Sequence, residues 1–524
     1  MNCTVQFMIA VPARTSAEVA ALPPRRRWLT LAVLGVSLLV VGLDVTVLNV
    51  ALPTLVRELG ASAGQLQWIV DIYALLAGAL MLFCGGLADR LGRKRVFLAG
   101  LVLFTGASVA AAYAGSVTQL IVARGAMGIG EALIMPATLA IIGSVFTDPA
   151  ERTKAIGIWS AAVGAGTVIG PMLGGWLLDR FWWGSVFLVN LPVGVAGLVA
   201  AVLLVPAAPG TRGRRLDPLG ASMSVAGPAL LLWALIEGPS DGWTDPVVLA
   251  AFTAAFVLIA AFVWWELRAP GPLLPLGIFR HRGLAVGAVL ILLAAFAMIG
   301  TLFALVQHLQ FNLGYTAAQT GWRLGPMALG LLVAGPLAGA LAQRLGPRYV
   351  AAAGLALVAA ALTVFATTGP GDGYGRVLAV IVLLGAGAGF VITVTSDSIV
   401  GSLSERDLGV GSATNSTAIQ FGAALGVAVT GSLLAGRYRS EIGRSGLGAG
   451  EKAAAHDSLG AALAVAERLP AQAGAAVART ARDAFTAGLG PAMFTGAAIA
   501  TAGVVIALAF APRRIHSDDS GDPS

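Results

Sequence analysis

GIWSAAVGAGTVIGPMLGG, residues 157–175, is apolar and long enough to make up most of a membrane span, yet it carries six glycines and a proline. In water a helix of this composition would be poor, because each interior glycine costs about 1 kcal/mol relative to alanine. In lipid the balance differs. Small residues let two helix backbones approach closely, and neighbouring helices can re-satisfy a carbonyl freed by proline. Gly166, Gly170 and Gly174 are spaced i, i+4, i+8, so they form one smooth stripe on the helix. A simple packing seam would account for such a stripe. The rest of the chain decides whether it means more.

The surroundings agree with a membrane setting. Of 524 residues, 57% are hydrophobic and 11% charged, and the mean hydropathy is +0.85. Soluble domains carry about 25% charged residues, so the chain reads as a polytopic, all-α membrane protein. Its apolar runs are too long for barrel strands. About fourteen spans are expected, near 28–52, 66–87, 96–115, 118–144, 154–178, 184–206, 217–236, 246–267, 284–311, 317–342, 349–367, 376–400, 408–436 and 489–511. The net charge of +7 does not suggest nucleic-acid binding, since the basic residues fall in short clusters between apolar runs. Cys3 and Cys84 form no framework, and no metal-ligand spacing is present.

Those basic clusters orient the chain. Arg25, Arg26, Arg27, Arg90, Arg93, Lys94, Arg95, Arg152, Lys154, Arg212, Arg214, Arg215, Arg268, Arg280, Arg282, Arg344, Arg348, Arg406, Arg513 and Arg514 all fall on one side. The short loops of the other side hold only Arg57, Arg180 and Arg376. The positive-inside rule then places both termini in the cytoplasm and requires an even number of spans. The long segment 437–488 is expected outside, as a helical hairpin rich in Ala and Gly.

An internal repeat is visible as well. GGLADRLGRKR at 85–95 returns as GALAQRLGPRY at 339–349. The domain reading is a cytoplasmic tail (1–27), a six-helix bundle (28–206), two inserted helices with flanking loops (207–282), a second six-helix bundle (283–511) and a second tail (512–524).

The spacing within 157–175 resembles the fifth-helix antiporter motif of the major facilitator superfamily, through Gly157, Gly166, Gly170, Pro171, Gly174 and Gly175. Other stretches support the resemblance. Gly85, Asp89, Arg90, Gly92 and Arg93 match the superfamily's loop 2–3 signature, in which Asp89 can pair with Arg93 or a helix end to latch the inner side. LDVTVLNVALP (43–53), QWIVDIYALL (67–76), ARGAMGIGEALIMPATLAII (123–142) and NSTAIQFGAALGVAVTG (415–431) resemble the fourteen-helix drug:proton antiporters of that superfamily. Two departures stand out. Glu131 occupies a position where a small residue is expected, and Gln343 stands in the second repeat where Asp89 stands in the first.

Intramembrane charges are functional candidates by default. At 1.5 Å per residue, Asp44, Asp71 and Arg124 lie in the outer half of their spans, and Glu131, seven residues after Arg124, lies on the same face about 10 Å deeper. Asp44 and Glu131 are the candidate proton carriers, with Arg124 as their modulator and Asp71 as a further coupling candidate. For each acid the alternative is a bracing hydrogen bond to a neighbouring helix. Arg323 and Asp397 read as structural or gating residues. Asn49, Tyr73, Asn415 and Gln420 are candidates for a substrate cavity. The resemblance implies a proton-coupled exporter of drugs or antibiotics in the cell membrane, not an enzyme. It implies no cofactor, a small-molecule substrate, protons and the bilayer as partners, and a monomer. Transport of another small organic solute or nutrient is the alternative.

Overall fold

The computed structural model describes residues 23–207, 216–369, 372–401 and 408–511. The two terminal tails, as well as Arg212, Arg214, Arg215 and Arg406, are outside these residues, wholly or in large part. Fourteen helices among the described residues are long and apolar enough to cross a membrane. We number them α1 (Pro24–Leu59), α2 (Ala63–Leu91), α3 (Arg93–Ala112), α4 (Val117–Val145), α5 (Pro149–Arg180), α6 (Ser185–Leu204), α7 (Pro218–Asp241), α8 (Pro246–Glu266), α9 (Arg282–Asn312), α10 (Ala317–Leu345), α11 (Pro347–Ala366), α12 (Tyr374–Gly401), α13 (Leu408–Arg444) and α14 (Ala471–Phe510). Every expected span has its helix. The last turn of α9, His308–Asn312, is a π-helix. α13 and α14 run well beyond their expected ends, and the short helices Ala449–Ala455 and Leu459–Ala466 lie between them.

The turns show why the repeat folds twice the same way. Ser62 caps α2 and receives a bond from Gln65 N, while the Gln65 side chain accepts from Ser62 N. Thr316 and Gln319 do the same for α10. Each box satisfies two donors that the helix start leaves open. Gly60 and Gly314 precede these boxes, and Gly92 and Gly346 close α2 and α10; all four have positive φ, where a side chain would be strained. One sequence offset relates Gly60 to Gly314, Ser62 to Thr316, Gln65 to Gln319 and Gly92 to Gly346.

Packing follows the same symmetry. In the first half α1 packs on α5, α2 and α3 on α4, and α6 on α1 and α3; in the second half α9 packs on α13, α10 and α11 on α12, and α14 on α9 and α11. The halves meet along two related seams, α2 with α13 and α5 with α10. The inserted α7 lies against both α2 and α13, and α8 packs on α7.

One face of the bundle, here the N-terminal face, carries the start of α1 and the turns α2–α3 and α10–α11. On the opposite, far face the halves are tied together. Thr316 Oγ1 donates to Asp179 Oδ2 at 3.1 Å, Ala318 N donates to Asp179 Oδ1 at 3.3 Å, and Gln310 Nε2 donates to the Val50 carbonyl at 2.9 Å. Gly460, in the short helix Leu459–Ala466, fits between Val56 of α1 and Phe311 of α9.

Candidate functional site

The glycine stripe of α5 serves two neighbours. A Cβ on Gly166 would collide with the Leu39 carbonyl, one on Gly170 with Thr46, and one on Gly174 with Val47, so these three bring α5 against α1 inside the first bundle. Gly175 and Pro171 face the other half: Gly175 meets the Ala317 carbonyl, and Gly321 of α10 meets the Pro171 carbonyl. A Cβ on Gly157 would meet none of the described residues within 4 Å. The second half repeats the device with Gly422 and Gly426 of α13 against Leu292 and Phe296 of α9. The sequence reading did not single these out, although the i, i+4 spacing was available.

At the centre of the first bundle, Asp44 of α1 and Arg124 of α4 form a buried ion pair through Oδ2 and Nη1. Arg124 Nε also donates to the Ile69 carbonyl at 3.2 Å, and the guanidinium lies 4.1 Å from the centre of the Tyr73 ring. The second oxygen of Asp44 accepts from Asn190 Nδ2 at 3.2 Å, and Asn190 also donates to Ser108 Oγ at 3.0 Å. Ser108 Oγ in turn donates to the Phe187 carbonyl at 2.8 Å. Burial of two charges is tolerated only with such compensation. Asn190 and Ser108 were missed by sequence reasoning, though a lone Asn in an apolar span is a signal in itself.

Glu131 stands apart from this network, and it is 3% exposed. Gln420 Nε2 of α13 donates to both its oxygens at 3.1 Å, across the interface of the two halves. The Tyr73 hydroxyl is close to Glu131 but makes no hydrogen bond of normal geometry with it. Asp71 is fully buried, and neither carboxyl oxygen has a partner among the described residues. Gln67, one turn before it on α2, lies against Gly431 of α13, and its Oε1 is also without a partner. Asp71 therefore belongs to the helix face turned toward the second half.

The remaining candidates divide. Asn49 is buried in α1 and donates to the Val45 carbonyl at 3.1 Å, while its Oδ1 is without a partner among the described residues. Asn415 is half-buried, and its Oδ1 has no partner among the described residues. Arg323 packs over Tyr315 and Tyr374 near the far face. Asp397 is exposed. In the loop signature, Asp89 Oδ1 accepts from Arg93 Nε and Nη2 at 3.2 Å each, and Arg93 Nη1 donates to the Ala140 carbonyl at 2.9 Å. These bonds join the α2–α3 turn to the end of α4 within the first bundle. Arg90 is exposed, and Gly92 provides the positive φ that turns the chain. Among the described residues no cluster of three or more His, Cys, Asp or Glu could hold a metal.

Residues 34–426 match the model of the Major Facilitator Superfamily. The chain belongs to that superfamily. It is similar to the multidrug efflux pump LfrA of Mycolicibacterium smegmatis, 35% identical over 93% of this chain and 97% of that protein. It also resembles the methyl viologen resistance protein SmvA of Salmonella typhimurium (34% identical, 88% of this chain, 93% of that protein). The tetracenomycin C resistance and export protein of Streptomyces glaucescens is 34% identical over 92% of this chain and 91% of that protein. Among solved structures, a bacterial homolog of the human lysosomal transporter Spinster, inward-facing and unoccupied, superposes with TM-score 0.63 at 21% identity, covering 93% of this chain and 98% of that one. That likeness concerns the fold. Members of this superfamily are transporters rather than enzymes, and this one is embedded in a membrane.

Proposed function

We propose that this facilitator exports drugs or antibiotics from the cell in exchange for protons. The N-terminal face is the cytoplasmic one, as the basic loops require, and the membrane is the cell (plasma or inner) membrane. Substrate binds between the two halves as a small organic molecule, and the monomer suffices.

The observation that supports this most is Glu131. A carboxyl group near mid-membrane, excluded from water and hydrogen-bonded by the amide of Gln420 in the opposite half, lies where an acid reports on both its own charge and the gap between the bundles. Gained from one side and lost to the other, its proton biases the two arrangements of the halves differently, which is what coupling requires. Asp44 is already neutralised by Arg124 and serves to hold α1, α4 and α6 together. Asp71, without a partner at the α2–α13 seam, is a second carrier candidate. The Gly-Pro stripe of α5 is the hinge surface, since α5 meets both α1 and α10 through residues without bulk. The names of the relatives, all resistance or efflux proteins, agree in substrate class.

The test is a resistance panel in an efflux-deficient host. Expression should raise the tolerated dose of at least one drug, and a protonophore should abolish the gain. A panel with no protection, or protection indifferent to the protonophore, would refute the reading.

A further inference from the structure

The two seams between the halves are related by the internal repeat, yet they are not equally closed. On the α2–α13 seam, Gly78 lies where a Cβ would be 2.9 Å from the Gln420 Cβ, and Thr417 Oγ1 donates to the Gly78 carbonyl at 3.1 Å. The offset that relates Gly60 to Gly314 relates Gly78 to Leu332 of α10. The register that pairs Gly175 with Gly431, both at far-side contacts, pairs Gln420 with Gly164 of α5. At this counterpart of the Gly78–Gln420 contact, Leu332 is 68% exposed and a Cβ on Gly164 would meet none of the described residues within 4 Å.

The change occurs along one helix face. On α10, Gly321 and Gly325 are buried against α5, whereas Leu332 and Pro336 further along are exposed. On α5, Pro171 and Gly175 are in contact with α10, whereas a Cβ on Gly164 or Gly157 would meet none of the described residues within 4 Å and Ala161 is exposed. The pair diverges from the middle of the membrane toward the N-terminal face. The other seam is also covered from outside. Leu232 and Ile236 of α7 pack with Ala74, Leu75, Ala424 and Ala428, and Ser224 Oγ of α7 donates to the Ala79 carbonyl at 3.2 Å.

We propose that the α5–α10 cleft is the portal through which a lipophilic substrate dissolved in the inner leaflet reaches the space between the halves, and that α7 blocks the symmetry-related entrance. Gly157, Ala161 and Gly164 of α5 and Leu332, Pro336 and Gly339 of α10, all on the diverging stretch, are apolar, which suits an occupant arriving from hydrocarbon. Two entrances would be the default of a two-fold arrangement. The inserted pair makes the entry one-sided. This rests on the export reading and its orientation.

The test uses inverted membrane vesicles with a maintained proton gradient and ethidium as probe. In a Cys3→Ser, Cys84→Ala background, Leu332→Cys and Val333→Cys are compared. Val333 lies one position, about 100°, round the helix from Leu332 and is 65% exposed. Each is treated with N-ethylmaleimide or the larger N-pyrenylmaleimide and read against its own unlabelled rate. The expected result is a loss of initial uptake that grows with adduct size in the Leu332→Cys protein and is absent in the Val333→Cys protein. The half-saturating ethidium concentration should rise while the rate at saturation is retained, which misfolding would not produce. Equal rates with adducts at either position would overturn the portal alone, and the substrate would then enter from water at the N-terminal face. A wild-type protein that moves no ethidium, Hoechst 33342 or rhodamine 6G would remove the export reading and the portal with it.

Discussion

The buried charges are not interchangeable. Asp44 and Arg124 neutralise one another, and Asn190 and the Ile69 carbonyl satisfy further valences. Removing one partner strands the other in a low-dielectric interior, which costs about 3–5 kcal/mol. Arg124→Gln should therefore lower the unfolding temperature of the detergent-solubilised protein sharply, and Asp44→Asn in the same chain should recover part of it. Equal stability of the single and double variants would contradict the pairing. Glu131→Gln predicts the opposite profile. An amide can still meet Gln420, so the fold should persist, while uphill export is lost and downhill exchange continues. A Glu131→Gln protein that still concentrates substrate against its gradient would remove Glu131 as carrier. The sequence made Asp44, Arg124 and Glu131 visible because charges in apolar runs stand out. It did not reveal which of them pair. Glu131 and Gln420 are 289 positions apart, and no local periodicity says which helices become neighbours.

At the scale of the helix, glycine is required by backbone approach at some positions and not at others. Gly166 and Gly170 face α1 with no room for a Cβ, so Gly166→Leu or Gly170→Leu must push α5 away. Overpacking of this kind costs about 1–3 kcal/mol and occasionally more. These variants should be recovered from membranes in reduced amount and melt earlier. Gly157→Ala should leave both quantities unchanged, because its surroundings are open. Should all three behave alike, the stripe would not be a packing surface. The helix ends show where sequence reading falls short. The expected span ends at 436, with a separate external hairpin from 437, yet residues 437–444 continue α13, because charged side chains past the membrane edge are solvated without interrupting the backbone bonds. The π-turn at His308–Asn312 left no mark in the sequence pattern either. The capping boxes at Ser62 and Thr316, in contrast, could be read directly from residue type and spacing.

For the whole molecule, fourteen long apolar runs and a repeated Gly-x-Leu-Ala turn were enough to indicate two related bundles with an inserted pair. Which of the two seams opens was not legible, since both are built from similar small residues and the choice depends on what packs outside them. Orientation is tested by labelling. A cysteine at Glu451, between α13 and α14, should react with an impermeant maleimide added to intact cells, and one at Arg90, in the α2–α3 turn, only after the membrane is opened. The reverse pattern would invert the assignment of faces. The claim on which everything else depends is that export is driven by protons. Purified protein is reconstituted into liposomes without nucleotide, and an acid-interior or a neutral gradient is imposed before ethidium is added outside. Dye should accumulate inside only with the acid interior and leave when a protonophore is added. Accumulation that ignores the gradient, or that appears only when ATP is supplied, would contradict the account.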